Sequence, residues 1–180
     1  MILSAGSLKN YEILKRNIKR VAITTTLLYN KRSMKISHKT LEFQTKGEFD
    51  FIDFTNEVEK FISTSQIKNG LVNIQTMHTT ASLFLNENEP MLLDDFKNHL
   101  MGFFPKDLGY NHNDFTRRTV HMHEDECKNA HSHCQSLHLP SNLVLNIIDG
   151  KLQLGQWQRI FLTELDKPKP RKVQIQIMGD

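Results

Sequence analysis

Apolar positions along the chain switch between a two-residue and a roughly 3.6-residue period, and the switches divide it into strands and helices. Leu41 and Phe43 alternate with Glu42 and Gln44, which predicts a half-buried strand over 35–45. Val58, Phe61 and Ile62 then recur at helical spacing. Asp53 or Thr55 can cap that helix and Asn69-Gly70 stops it, so it is expected over 55–68. Leu71 to Met77 is β-branched and short, a strand that delivers His78 at its end, and Ser82 to Leu85 continues as another. Pro90 opens a second helix, about 91–103, with Leu92, Phe96, Leu100 and Phe103 on one face and Pro105 at its end.

Residues 106–133 show no sustained period and are rich in His, Asn and Asp, which predicts a long loop with one helical turn; loops of this length inside a domain are usually functional or disordered. Leu143–Ile148 and Lys151–Leu154 flank Asp149-Gly150, a two-residue hairpin signal. Gln156–Glu164 and Lys172–Met178 alternate. The first puts Trp157 on the same side as Arg159, and the second turns Val173, Ile175 and Ile177 inward. The fold class is α+β, a mostly antiparallel sheet or sandwich with two main helices.

Length and composition narrow the setting. A chain of 180 residues with 38% apolar and 24% charged residues can enclose one core unaided, and no apolar run reaches the roughly 20 residues of a membrane helix. Cys127 and Cys134 lie within a histidine-rich stretch, a pattern that suits a reducing compartment better than a disulfide scaffold. A cytoplasmic location is expected. Residues 1–37 carry eight Lys and Arg against one acid, Glu12; the remainder then holds 15 basic and 19 acidic residues, net −4. Nucleic-acid binding is not expected of so acidic a body. Residues 1–34 are read as a basic, flexible extension to a domain over 35–180. A solvated tail, an upstream start before Met34 and an organellar transit peptide all remain open for it.

Six of the nine histidines fall between 112 and 138: His112, His121, His123, His131, His133 and His138. Imidazole is the commonest metal ligand and the usual acid or base near neutral pH, so the enrichment points to one of those roles, or else to a solvated loop that binds nothing in particular. His121 and His123 fit the loop best, and His99 fits an ordinary helix histidine. His131 and His133 would share a face if extended and would diverge on a helix.

Across about residues 35–180, ordered motifs resemble the YjbQ-like family, also called the secondary thiamine-phosphate synthase family. The stretch HTTASLFLNENEP from His78 to Pro90 is similar to that family's His-Thr-Thr/Ser-Ala-Ser-Leu-x-x-Asn-Glu-Asn segment, with Asp95 as its helix acid. Tyr110-Asn111-His112 resembles its Tyr-x-His. Asn129-Ala130-His131-Ser132-His133 resembles its Asn-Ala-His-x-His step. Gly150 to Gln158 resembles its Gly-x-Leu-x-Leu-Gly-Thr-Trp-Gln strand, and Glu164 and Arg171-Lys172-Val173 are in place. Gln156 departs from the usual Thr, Lys169 from a common Arg and Leu139-Pro140 from Leu-Gly. The segment between His112 and Glu124 is longer than usual. These departures bear on substrate contacts more than on the fold.

The resemblance implies a homotrimer acting on a small phosphorylated substrate, with weak thiamine-phosphate synthase activity that joins a pyrimidine diphosphate to a thiazole phosphate and releases pyrophosphate. It implies His78, His112 and His133 as ligands of a divalent metal, zinc first and magnesium as the alternative, leaving an open coordination position. Glu87 and His131 are the catalytic candidates, with Asp125 beside His131 as an orienting partner. Asn86, Asn129, Trp157, Gln158 and Arg171 are the substrate-binding candidates, the last because a guanidinium matches phosphate oxygens. A non-catalytic metal or small-anion binding protein and a metal-dependent phosphate-ester hydrolase are the competing readings.

Overall fold

The alternation around Leu41 and Phe43 becomes strand β1 (Lys35–Gln44) in the computed structural model, which describes residues 33–180. The expected basic extension therefore lies, but for its last two residues, outside the described residues. After β2 (Phe51–Asp53) comes helix α1 (Thr55–Ser65), which ends three residues short of the expected 68 because Gln66 turns left-handed at φ 60°. Asp53 serves its N-terminus, with Oδ1 accepting from both the backbone N–H and the hydroxyl of Thr55. β3 (Gly70–Thr76) and β4 (Ala81–Asn86) follow, then α2 (Pro90–Phe103), with proline in its first turn and Glu89 accepting from the Met91 and Leu92 amides. On the expected apolar face of α2, Leu100 is buried but Phe103 is 62% exposed, so the stripe is narrower than its sequence.

Only a 3-10 turn (Asn111–Asn113) interrupts the next stretch before α3 (Ala130–Ser136), a helix where a loop is expected. The hairpin forms as read: β5 (Asn142–Ile148) and β6 (Lys151–Leu152) turn through Asp149 and Gly150, both at positive φ. β7 (Arg159–Glu164) starts later than expected. Gln158 donates its backbone N–H to the Gly155 carbonyl and accepts the Gly155 N–H on Oε1, so residues 155–158 close a turn instead of extending. Trp157 thus precedes the strand and is 63% exposed. β8 (Pro170–Gly179) is the strand anticipated, with Val173, Ile175 and Ile177 fully buried.

The strands form a five-stranded sheet ordered β1-β8-β3-β5-β6 and a three-stranded sheet ordered β2-β7-β4, antiparallel at every pairing. Val72, Ile74, Ile147, Val173, Ile175 and Ile177 of the larger sheet join Leu83, Ile160 and Leu162 of the smaller, with Val58 and Ile62 of α1, in one apolar core. At roughly 1.5–3 kcal/mol per fully buried aliphatic side chain, this cluster is the main favourable contribution to the fold. Phe161 and Phe84 lie on the other face of the smaller sheet, stacked at 4.8 Å, and Phe96 of α2 meets Phe84 edge-on at 5.9 Å. Gly70 and Gly179 face each other across β3 and β8, where a Cβ on either would come within 2.1 Å of a carbonyl oxygen, so neither position admits a side chain. Among the described residues no helix is long and apolar enough to cross a membrane.

Candidate functional site

The register of β4 on β7 sorts the candidate residues into two groups. Ala81 pairs with Glu164 at one end and Asn86 with Arg159 at the other. At about 3.3 Å per residue the two ends stand roughly 17 Å apart. His78, Asn129, Arg171 and the residues around α3 gather at the Glu164 end, whereas Asn86, Glu87, Trp157 and Gln158 lie at the Arg159 end.

At the Glu164 end the floor is a buried ion pair. Glu164 is wholly buried and Arg171 nearly so, and Arg171 Nε donates to Glu164 Oε2 at 2.6 Å while its Nη2 contacts Oε1. Thr45 Oγ1 and the Asp166 amide donate to the same carboxylate, and Arg171 Nη2 also donates to Thr80 Oγ1 at 2.9 Å. Arg171 therefore braces the wall. Its Nε and Nη2 are taken up by Glu164 and Thr80 and are not free for the phosphate oxygens it was a candidate to bind.

Asp166 continues the network. Its Oδ2 accepts from Lys169 Nζ at 2.5 Å and from Asn129 Nδ2 at 3.1 Å, and Cys127 Sγ lies 3.9 Å from Oδ1. Burial alone would raise its carboxyl, but the Lys169 and Asn129 hydrogen bonds outweigh it and hold the group below its usual range. Asn129 thereby ties the start of α3 to the β7–β8 connection, and Asn113 Oδ1 accepts the Ala130 N–H at 3.0 Å.

Because residues 130–136 are helical, His131 and His133 diverge. His133 turns to His112 on the 3-10 turn, and their rings meet at 4.8 Å, nearly edge to face. Burial, and then the proximity of His112, push the His133 imidazole below its ordinary value. His131 turns inward and is only 3% exposed. Its Nε2 lies 3.3 Å from both Glu48 Oε1 and Ser132 Oγ, and its Nδ1 is buried with no hydrogen-bond partner among the described residues. Burial depresses this imidazole too, more than Glu48 raises it. Lys106, just past the end of α2, pairs with the other oxygen of Glu48.

His78 does not join them as a ligand. The Lys172 backbone N–H donates to its Nε2 at 2.7 Å. A neutral imidazole has one lone pair, so this ring has none left for a metal. Among the described residues no three His, Cys, Asp or Glu side chains are grouped to hold a metal ion. The expected triad does not fit; His112 and His133 come together without it. Asp125 offers His131 no carboxylate contact here and instead accepts Lys167 Nζ on its backbone oxygen.

At the far end Asn86 Oδ1 accepts the Glu87 N–H, and Asn86 and His99 are the polar members of a cavity of about 220 Å3 walled by Phe84, Leu85, Phe96, Leu100 and Leu139. Gln158 is used within its own turn. Glu87, next to Asn86, is thus remote from His112, His131 and His133 within one chain. Glu48, Lys106 and Asp166 are the site residues that sequence reading missed. For Glu48 the available signal is a glycine followed by an acid in a tight strand connection.

The family model described as UPF0047 protein YjbQ-like matches residues 39–180. A UPF0047 protein of Methanothermobacter thermautotrophicus is 33% identical over 146 residues, spanning 81% of this chain and 94% of that one. The UPF0047 protein YugU of Bacillus subtilis is 32% identical over 141 residues, 78% of this chain and 98% of its own. Among solved structures, a YbjQ-like protein of unknown function from Sulfolobus solfataricus P2 superposes with a TM-score of 0.74 at 32% identity, over 82% of this chain and all of that one. A hypothetical protein from Aeropyrum pernix K1 gives 0.69 at 28% identity, over 80% and 99%. Matched over residues 39–180, the α3 histidine step included, the chain belongs to the UPF0047, YjbQ-like family.

Proposed function

We propose that the chain is an acid–base enzyme acting on a small phosphorylated substrate, and that its reaction is the thiamine-phosphate synthase condensation implied by the family resemblance. The observation that carries this reading is the pairing of His112 with His133 at 4.8 Å beside α3, with His131 buried on the same helix. In the reaction the thiazole nitrogen attacks the carbon that bears the diphosphate of the pyrimidine. A C–N bond forms, the C–O bond breaks, and pyrophosphate leaves with its electron pair. Imidazole N–H groups at His112 and His133 can donate hydrogen bonds to the departing phosphate oxygens, and His131 can hold or pass a proton. Lys169 and Lys106 offset the negative charge of their partners Asp166 and Glu48. A positioned general acid or base typically contributes about 10²–10⁴-fold.

A divalent metal, zinc or magnesium, would neutralise diphosphate charge if bound, and His112 and His133 are the residues available to hold it. The homotrimer belongs to this proposal through the family resemblance alone. The test is to incubate the protein with both substrates and follow thiamine phosphate and pyrophosphate together. Formation of both, abolished by His133→Ala, supports the reading, and absence of both overturns it.

A second reading is a metal or small-anion binding protein without turnover. It is favoured by Asp166, whose Oδ2 already accepts from Lys169 and from Asn129 at the start of this helix. Zinc binding by a protein inactive on either substrate or on simple phosphate esters would select it.

A further inference from the structure

We propose that Glu48 is the positioning residue of the α3 site: its carboxylate accepts the Nε2–H of His131 and so holds the ring's lone pair at the buried Nδ1. The inference rests on the acid–base reading of His131 and names what orients that ring.

The connection from β1 to β2 is built for this. Gly47 sits at φ 148° and Phe49 at φ 60°, a left-handed conformation that non-glycine residues rarely adopt. Three contacts hold the turn in place. The Phe49 N–H donates to the Glu164 carbonyl at 2.7 Å, the Asp50 N–H to Gly47 O at 3.2 Å, and the Lys46 N–H to Asp50 Oδ2 at 2.8 Å. Between the two unusual residues Glu48 projects to His131, with Oε1 at 3.3 Å from Nε2, while Lys106 holds its other oxygen. Glu48 and Lys106 line a cavity of about 230 Å3 together with Met101, Phe104, Pro105 and Gln135.

Two neighbours compete for Nε2. Ser132 Oγ, also at 3.3 Å, can either donate or accept, whereas a carboxylate can only accept. A bare Nε2 would face the Glu48 oxygen lone pair to lone pair and leave an Nδ1–H with no acceptor in a buried place, so Glu48 decides the tautomer. With Nε2 protonated, Nδ1 becomes the working nitrogen of His131. It is closed to bulk water and has no hydrogen-bond partner among the described residues.

The experiment reads the tautomer directly, by two-bond ¹H–¹⁵N correlation of histidine-labelled full-length protein, with His131→Asn to assign the signal. The wild type is expected to show His131 as the Nε2–H form, and Glu48→Ala is expected to lose that preference. Glu48→Gln, whose amide oxygen still accepts, should retain more of it. Turnover in Glu48→Ala should fall roughly 10–100-fold in kcat with KM little changed, the loss typical of an orienting partner. An Nδ1–H form in the wild type, or an unchanged tautomer in Glu48→Ala, overturns the proposal. The wild-type spectrum needs neither substrate nor a stable variant. It therefore stands or falls separately from the thiamine-phosphate reaction, whose own failure would be absence of product.

Discussion

The backbone N–H of Lys172 donates to Nε2 of His78 at 2.7 Å, so a side chain carried at the exit of β3 closes a hydrogen bond to β8. This contact separates His78 from the other two candidate ligands. Zinc titrated into metal-free protein should therefore bind almost as well to His78→Ala as to wild type, and much more weakly to His112→Ala or His133→Ala. Isothermal titration, with His121→Ala as the control, checks this; equal loss in His78→Ala and His133→Ala would return His78 to the ligand set. His78→Ala should instead cost about 1 kcal/mol of stability in denaturant unfolding.

The Glu164–Arg171 pair is buried with every carboxylate oxygen occupied. Arg171→Met leaves an unpaired buried carboxylate, and a loss of about 3–5 kcal/mol is expected, measured by urea unfolding. A loss under about 1 kcal/mol would mean that water reaches the pair.

Stability should fall with acidification. Burial is the leading cause that depresses the imidazoles of His78, His131 and His133 below their ordinary value of 6.5. Unfolded chains then bind protons that the folded chain resists, so the contribution is full above about 6.5 and is lost as pH falls through the folded values. Asp166, also depressed, adds a loss of the same sign at lower pH, below its ordinary 3.8. A melting temperature measured from pH 7.5 to 5 should decline; a flat profile would show the rings to be solvated.

Trp157 is the chain's single tryptophan and stands 63% exposed in one chain. Acrylamide should quench its fluorescence readily in dilute protein. If quenching is weak and strengthens on dilution, another copy covers this turn; sedimentation at micromolar concentration, where a stable 21.0 kDa species would refute the trimer, decides the matter.

Most of the fold was legible because burial and period coincide. Val173, Ile175 and Ile177 alternate without exception, and Asp149-Gly150 has one comfortable turn geometry. Helix α3 was not legible, since its buried face consists of Ala130, His131, Ser132 and Gln135, and a polar face buried by hydrogen bonds carries no hydrophobic period. The histidine step was visible in the sequence, but the winding that separates His131 from His133 was not. Glu48 was hidden for another reason: its partner lies far along the chain, and only the folded β1–β2 turn brings them together. Trp157 was misplaced because alternation continued on paper through a turn that Gly155 and Gln158 close.

Strand β8 lies between β1 and β3 in the larger sheet, yet it leaves the ribosome after every other described strand. Until it emerges, β1 has no partner in that sheet and β3 is bonded on one side only. The larger sheet cannot close before β8 emerges. The nascent chain carries two strands with unpaired edges, a state open to self-association, and folding waits on its most distant contacts. Expression should therefore depend on chaperone supply more than the stability of the finished sheet would imply.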